Sequence, residues 1–329
     1  MKHARGFTLI EMMVALFIGV VIALMAGQLY ILSMRTAISQ ERAAEEINHQ
    51  SFVLPNMISN VRLAGLGIDG SVLDRPNPMG VLIDADQLSR QETPNNIDRY
   101  LTGASRAGRV NRINIPSEQL TIIYRAPQDM WDCEGGIPLG PRSVRLKGGE
   151  MAQVGGQVVI ERYFVQMDDG VMNLRCDAAR FVPESIKRDS TRDRKFSQSS
   201  TSYINAIIDA DVKDAKKANV VYGLGGQGVI MASHVEGLWV QLGVKMPDGI
   251  RLMTITDYQK SKLHEPIVMI NLALLSRSVT PLSDGEASAQ SFDVFGKMVH
   301  VNEGGANYDR QLHQISIALR NAKYAGDAP

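Results

Sequence analysis

The sequence has few of the residues on which binding and catalytic frameworks depend. Its 329 residues include two cysteines, six histidines and 6% aromatic residues, and its 35 basic side chains balance its 35 acidic ones. Two cysteines are too few for a disulfide-rich scaffold, and they lack the spacing of a zinc site. A balanced charge gives no electrostatic reason to expect a nucleic acid as partner. Composition therefore points away from these three classes of protein.

Catalytic motifs are missing as well. The chain has no G-x-S-x-G elbow, and "LHEPIVM" has Val268 where a second zinc-binding histidine would stand. His234, His264, His300 and His313 are isolated residues, which are more typical of ordinary polar positions than of a metal site. The sequence predicts no enzyme, no metal site and no cofactor.

One stretch does match a nucleotide-binding pattern. "YGLGGQGVI" contains G-x-G-x-x-G at Gly223, Gly225 and Gly228. The residues that follow, Val229 to Met231, suit a strand better than the helix that would bind a pyrophosphate. We interpret this stretch as a glycine-rich turn between strands.

The basic residues of 187–195 are diluted by two aspartates and lack interleaved aromatic residues, so no nucleic-acid partner is predicted.

A long apolar run lies near the N-terminus. Met12 to Met34 is 23 residues without a charge, about 34 Å as a helix against a hydrocarbon layer of roughly 30 Å. Lys2, His3 and Arg5 precede it, so the positive-inside rule places the N-terminus in the cytoplasm and the rest of the chain outside. A removable secretory signal is the alternative, but its apolar region normally has about 7–15 residues. The run predicts one membrane span.

Glu11 lies at the start of this run and needs an explanation. A charged side chain at mid-bilayer costs roughly 2.5–3.5 kcal/mol, so its partner should be identified. Arg5 is six residues away, and no cation lies at i±3 or i±4. Glu11 either sits in the headgroup layer or pairs with a cation from elsewhere.

The two cysteines, Cys133 and Cys176, follow the predicted span. Thiols in an exported domain should oxidise, and a bridge across 43 residues would contribute on the order of 2–4 kcal/mol. Two free thiols are the alternative. We predict the Cys133–Cys176 disulfide.

Apolar periodicity predicts an α+β fold. Apolar residues from Ile47 to Ala64 recur at helical spacing, with Pro55 predicting a kink or restart, and Gly65 and Gly67 a stop. Beyond them the period falls to two, which predicts an antiparallel sheet packed on the helix. Predicted strands are 120–125, 157–166, 219–222, 238–244, 267–277, 292–301 and 315–319. Residues 66–112 are predicted to form long loops with short elements, and 178–220 a polar loop and a short amphipathic helix.

The N-terminus resembles that of type IV prepilins, which have a basic leader, a glycine and "FTLIE" before an apolar helix. The resemblance implies cleavage by prepilin peptidase between Gly6 and Phe7, and methylation of the new amine on Phe7. Residues 1–6 would be the leader, 7–65 the N-terminal helix with its span at 12–34, and 66–329 an extracytoplasmic β-rich head. Glu11 would then neutralise the N-terminal amine of a neighbouring subunit.

The head resembles PilW-type minor pilins in "VRLAGLGIDG", "SEQLTIIYRAPQDMWDCEG", "NLRC", "VEGLWVQLGV" and "DRQLHQISIALRN". The similarity is patchy over 66–112 and over 177–219, which we interpret as an insertion. It implies a pilin-like fold, cysteines near "DCEG" and "NLRC", and a structural subunit that helps to initiate type IV pilus assembly. Implied partners are other minor pilins, the major pilin, prepilin peptidase and the inner-membrane assembly platform. The minor pseudopilin J of type II secretion and a tip adhesin are the alternatives.

Overall fold

The computed structural model describes ten ranges of the chain: 8–48, 53–68, 80–104, 113–145, 151–183, 220–221, 223–261, 265–282, 288–301 and 307–321. Several sequence predictions lie outside these residues. They are the processing site at Gly6 and Phe7, the basic segment 187–195, His264, and the amphipathic helix predicted after residue 203.

The first helix, α1, is long, apolar and exposed. It spans Leu9–Asn48, and within its stretch Leu9–Glu41 an 18-residue window has a mean hydropathy of 2.6 with none of that window buried inside the protein. By length and composition this stretch can cross a membrane, and it contains the predicted span at 12–34. A core helix of a soluble protein would bury side chains such as Phe17 and Leu29, which are 71% and 67% exposed here.

The second helix, α2, spans Leu54–Val61 and packs on the head. Pro55 lies in its first turn, where the missing N–H removes no helical hydrogen bond. The chain therefore restarts a helix at Pro55, one of the two outcomes predicted for this position. Met57 and Val61 are fully buried, and the glycines that follow, Gly65 and Gly67, have φ of 79° and 63°. These left-handed conformations end the helical segment as predicted.

Two antiparallel sheets form most of the head. The first has the order β1-β2-β5-β6-β7, and the second has the order β13-β10-β8-β9. In the first sheet the strands are β1 (Gly103–Ala104), β2 (Glu118–Arg125), β5 (Val158–Asp168), β6 (Val171–Phe181) and β7 (Val229–Ser233). In the second they are β8 (Val235–Met246), β9 (Gly249–Thr254), β10 (Ile267–Arg277) and β13 (Arg310–Ala318).

Smaller elements surround the sheets. One hairpin pairs β3 (Arg142–Arg145) with β4 (Met151–Val154), and another pairs β11 (Ser291–Val294) with β12 (Lys297–His300). Two short 3₁₀ helices, Ala85–Leu88 and Ile97–Tyr100, lie in the region predicted as loops with short elements. Helix α3, Ile255–Ser261, follows β9.

One hydrophobic core joins α2 to the inner faces of both sheets. Its members come from the buried face of α2, from alternate positions of β2 and β5, and from alternate positions of β8 and β10. They include Met57, Val61, Leu120, Ile122, Tyr124, Tyr163, Leu238, Leu242, Ile270 and Leu272. The packing of helical residues against a period-two surface is what the sequence predicted, and the α+β fold with a long N-terminal helix and antiparallel sheets is confirmed.

Three strand predictions need correction. Residues 178–181 belong to β6 and not to a polar loop. The stretch 292–301 is not one strand, because it turns at Phe295 and Gly296 between β11 and β12. At 219–222 the described residues form no strand, and Val220 makes one isolated parallel bridge to Glu92. The predicted strands at 120–125, 157–166, 238–244 and 267–277 are confirmed within a few residues at each end, and 315–318 belong to β13.

Candidate assembly site

Helix α1 begins with a reciprocal set of hydrogen bonds between Thr8 and Glu11. The backbone N–H and the hydroxyl of Thr8 donate to Glu11 Oε2 at 2.9 and 3.1 Å, and the Glu11 N–H donates to Thr8 Oγ1 at 3.3 Å. Thr8 is thus the N-cap residue, and Glu11 occupies the third helical position of a capping box. The spacing T-x-x-E before an apolar run is a signal for this motif, although our interpretation of the sequence did not include it.

The capping box leaves Glu11 with unused capacity. Both bonds from Thr8 go to Oε2, and Oε1 has no hydrogen bond within the described ranges. The carboxylate is exposed beside the positive end of the helix dipole, which favours a negative charge there. Glu11 can therefore accept a further donor without losing its bonds to Thr8.

Beyond the span, the surface of α1 changes from apolar to polar. Thr36 donates its hydroxyl to the Leu32 carbonyl at 2.9 Å, and Ser39 donates to the Thr36 carbonyl at 2.9 Å. These hydroxyls bond within the helix, so the helix continues past the charge-free run without a break. Arg35 and Glu41 are the first two charged residues after the span.

The predicted disulfide between Cys133 and Cys176 is present. The two Cα atoms are 6.0 Å apart, and the bond links the loop after β2 to strand β6 across 43 residues. Cys176 is fully buried, and Cys133 is partly buried against the core. The chain has only these two cysteines, so the alternative of free thiols is wrong.

A buried carboxylate, Glu161, lies beside the disulfide and joins three parts of the head. Its Oε1 accepts hydrogen bonds from the Tyr124 hydroxyl at 3.0 Å, the Cys133 N–H at 3.0 Å and the Asn60 side-chain amide at 3.3 Å. Its Oε2 accepts from the Tyr163 hydroxyl at 2.6 Å. Helix α2, the first sheet and the disulfide loop therefore meet at one side chain, which is fully buried.

Burial determines the proton affinity of this group. Loss of solvation raises the pKa of the Glu161 carboxyl, and the hydrogen bonds from Tyr163, Tyr124 and Cys133 only partly oppose that rise. Burial, followed by the nearby Glu161 charge, raises the pKa of both tyrosine hydroxyls, so they remain donors. No salt bridge connects Glu161 to a cation in the described part of the chain.

The glycine-rich stretch is a turn that binds an anion of its own chain. The Gly225 N–H donates to Asp177 Oδ2 at 2.8 Å, and Arg175 donates to the Gly228 carbonyl at 2.9 Å. We predicted a glycine-rich turn between strands. The turn leads into β7 and not into a helix, so the turn and the strand after it are confirmed, while the described residues of 219–222 form no strand before it. Asp177 occupies the position near the N–H groups where a phosphate would have to bind.

The histidines of the head are spread over separate places. His300 Nδ1 lies 2.8 Å from Ser291 Oγ, and His313 Nε2 lies 3.4 Å from Ser276 Oγ. Within the described residues, no three side chains of the metal-ligating types come together.

Two comparisons with known proteins give a match, one to the N-terminal residues and one to most of the chain. Residues 1–27 match the family model "Prokaryotic N-terminal methylation motif". A solved structure that the chain resembles is the type IV-like pilin TTHA1219 from Thermus thermophilus, with 9% identity over 82% of this chain and 95% of that one, and a TM-score of 0.36. No curated protein matches the sequence.

The methylation motif covers the N-terminal residues that Glu11 and the start of α1 belong to. The match covers 27 of the 329 residues and concerns methylation at the N-terminus. Behind the motif lie the exposed apolar helix and the head of antiparallel sheets.

Proposed function

We propose that the protein is a minor pilin of the PilW type, a structural subunit that helps to initiate type IV pilus assembly. The observation that carries the proposal is Glu11, whose free Oε1 lies at the start of a helix that is apolar and exposed along its described span. Such a helix needs either lipid or other helices around it, and a filament supplies the second. The methylation motif over 1–27 supports this environment.

Processing would supply the missing cation. Cleavage after Gly6 leaves residues 7–329, with a methylated amine on Phe7 that carries a positive charge. In a bundle of helices this amine from a neighbouring subunit donates to Glu11 Oε1, while Thr8 keeps its two bonds to Oε2. Pairing of the two charges offsets the loss of solvation that each one undergoes in the apolar bundle.

The proposal includes a location for each segment. Residues 1–6 are the leader, 7–65 carry the span at 12–34 in the inner membrane, and the head at 66–329 lies in the periplasm until it joins a filament. An oxidising periplasm suits the Cys133–Cys176 disulfide. The partners are other minor pilins, the major pilin, prepilin peptidase and the assembly platform, and the subunit itself catalyses no reaction and holds no cofactor.

Three variants in the source organism test the role of Glu11. Glu11→Ala removes both the carboxylate and the cap, Glu11→Gln keeps an oxygen for the cap but removes the charge, and Thr8→Ala removes the N-cap hydroxyl but keeps the charge. We expect the first two to lose surface pili and Thr8→Ala to retain them. Pili are counted by electron microscopy, and immunoblots of the membrane fraction verify that each variant is present.

The outcome separates charge pairing from capping. Normal piliation in Glu11→Gln, with the protein present at its usual level, contradicts the proposal. Loss of pili in Thr8→Ala alone assigns Glu11 a capping role only. Deletion of the gene distinguishes the alternatives: loss of secretion with pili intact indicates a type II pseudopilin, and pili that no longer adhere indicate a tip adhesin.

A further inference from the structure

A cleft lies between the β11–β12 hairpin and the second sheet. It is partly open to solvent, and its walls come from the start of β2, from β8 and from the hairpin. We call it the hairpin cleft and define it by four lining residues: Glu118, Trp239, Phe295 and Lys297. Apolar walls with a few polar groups are typical of small-ligand sites.

Glu118 is held in the cleft by the backbone of β8. The Val240 N–H donates to Glu118 Oε2 at 2.7 Å, and Oε1 has no hydrogen bond or ion pair among the residues that the structure describes. Burial raises the pKa of the Glu118 carboxyl, while the Val240 N–H and the charge of Lys297 oppose the rise. A fixed, partly desolvated carboxylate with one open oxygen favours a cation or a strong donor as ligand.

One aromatic wall of the cleft, Trp239, is also held in place by a hydrogen bond. Trp239 is 4% exposed, and its indole N–H donates to the Pro116 carbonyl at 3.2 Å, which fixes the ring. Aromatic faces attract cations as well as apolar groups.

Phe295 stands in an unfavourable backbone conformation. It has φ of 53° and is followed by Gly296 with φ of 81°, the pattern of a two-residue hairpin turn. Asn or Asp is preferred at the first of these positions, and a bulky residue there is a strained outlier. Strain of this kind persists where the surrounding structure holds it in place and is frequent at ligand sites. A phenyl ring therefore lines the cleft at a position where this turn prefers Asn or Asp.

We propose that the hairpin cleft binds a ligand that joins a primary ammonium group to an apolar body. The ammonium donates to Glu118 Oε1, and the apolar body packs against Trp239 and Phe295. Lys297, an exposed residue of the hairpin, competes with the ligand for the carboxylate. A free aromatic amine and a lysine side chain of a partner protein offer this same chemistry.

Tryptophan fluorescence of the full-length protein in detergent micelles tests the proposal. The chain has two tryptophans, and Trp131 is 67% exposed, so the Trp131→Phe background leaves Trp239 as the single reporter. Phenethylamine probes the free amine, Nα-acetyl-lysine amide probes the partner lysine, and 3-phenylpropionate is the anion of matched size. We expect saturable binding of one amine and none of the anion.

Variants of the cleft define the contacts. Glu118→Gln keeps an acceptor for the Val240 N–H but removes the charge, so the affinity should fall about tenfold or more. Lys297→Gln removes the competing cation and should raise the affinity for the amine. Phe295→Asn gives the turn a preferred residue and removes the ring, so binding should weaken while thermal unfolding by circular dichroism changes little.

Several results would overturn the assignment. Absence of saturable binding by both amines would do so, as would equal affinity in the Glu118→Gln variant. Binding of the anion in preference to the amines would reassign the cleft to Lys297. A Phe295→Asn variant that unfolds more easily and binds normally would show that the ring only anchors the hairpin. Binding of phenethylamine alone identifies a free amine as the ligand, and binding of the lysine amide alone identifies a partner protein.

Discussion

Replacing Glu161 by Gln is expected to remove a pH dependence of head stability while keeping most of the hydrogen bonds at this position. The side chain is fully buried and receives four donors, but no salt bridge in the described ranges neutralises it. Its carboxyl pKa is raised above the ordinary value of 4.5 because burial outweighs the hydrogen bonds. The folded chain therefore holds this proton more tightly than the unfolded chain does.

The sign of the effect follows from that difference. The stabilisation contributed by the protonated Glu161 is complete below the unfolded pKa near 4.5, and it is lost as the pH rises through the higher folded pKa. Between the two values the free energy of unfolding should fall by about 1.4 kcal/mol for each pH unit. Above the folded pKa the loss stays constant.

The Glu161→Gln variant does not titrate at this position. Its Oε1 still accepts from Tyr124, Cys133 and Asn60, while the amide that replaces Oε2 turns towards the Tyr163 hydroxyl as a donor. Its stability relative to the wild type should therefore rise with pH from 4.5 upwards. Glu161→Ala instead leaves the two tyrosine hydroxyls and the Cys133 N–H without their acceptor. At roughly 1–3 kcal/mol for each group, the loss should be about 3 kcal/mol or more.

Urea unfolding of the full-length protein in detergent micelles, followed by circular dichroism at several pH values between 4.5 and 7.5, measures both effects. Glu92→Gln, at an exposed carboxyl of the head, is the matched control and should follow the wild type. Parallel curves for the wild type and Glu161→Gln over this range would refute the reasoning. A loss below about 1 kcal/mol in Glu161→Ala would show that water replaces the carboxylate.

Three further predictions concern other parts of the chain. The double variant Cys133→Ser with Cys176→Ser should lose about 2–4 kcal/mol of unfolding free energy, and dithiothreitol should produce a similar loss in the wild type but none in the variant. Asp177→Ala should cost about 3–5 kcal/mol in urea unfolding because it leaves a buried guanidinium unpaired, while Asp177→Asn should cost less because it keeps an acceptor for the Gly225 N–H. Mass spectrometry of protein from the source organism should find a methylated Phe7 at the N-terminus, and a chain that retains its first six residues would contradict processing.

The regular parts of the fold could be predicted because their apolar period is intact. Residues 238–244 alternate between apolar side chains and positions that, apart from Trp239, are small or polar, and the structure pairs them with 267–277 as neighbours in one sheet. The long helix was equally clear from its charge-free run. Pro55 and Gly65 marked the two ends of α2 because each has a backbone preference that acts locally.

Strand β6 was missed because its buried face contains charges. Asp177 is fully buried and pairs with Arg162 of β5 at 3.5 Å, and Arg175 pairs with Asp168 at 2.6 Å. These partners come from the adjacent strand and make burial tolerable, but their pairing appears only once the strands are side by side. The turn at Phe295 was missed because phenylalanine is not a residue that a turn with positive φ prefers.

At the candidate assembly site, too, features that depend on neighbouring residues could be predicted, and contacts between distant parts of the chain could not. Glu11 could be singled out because one carboxylate before an apolar run is unusual in any context. Its hydrogen bonds to Thr8 follow from a spacing of three residues, so they could have been predicted from the sequence. Glu161 gave a weaker signal, a single acid within the apolar stretch of β5, and its four donors lie in parts of the chain as far away as Asn60.

Hydrogen-bonding capacity separates the carboxylates that hold the fold from those that can take a partner. Glu161 has both oxygens engaged and no access to solvent, so nothing more can bind there. Glu11 and Glu118 each use Oε2 for backbone donors of their own chain and keep Oε1 open within the described residues. A carboxylate that is oriented by its own backbone keeps its geometry when the external cation leaves, so it does not have to be ordered again at each binding event. The same arrangement therefore suits Glu11 to the amine of a neighbouring subunit and Glu118 to an ammonium ligand in the hairpin cleft.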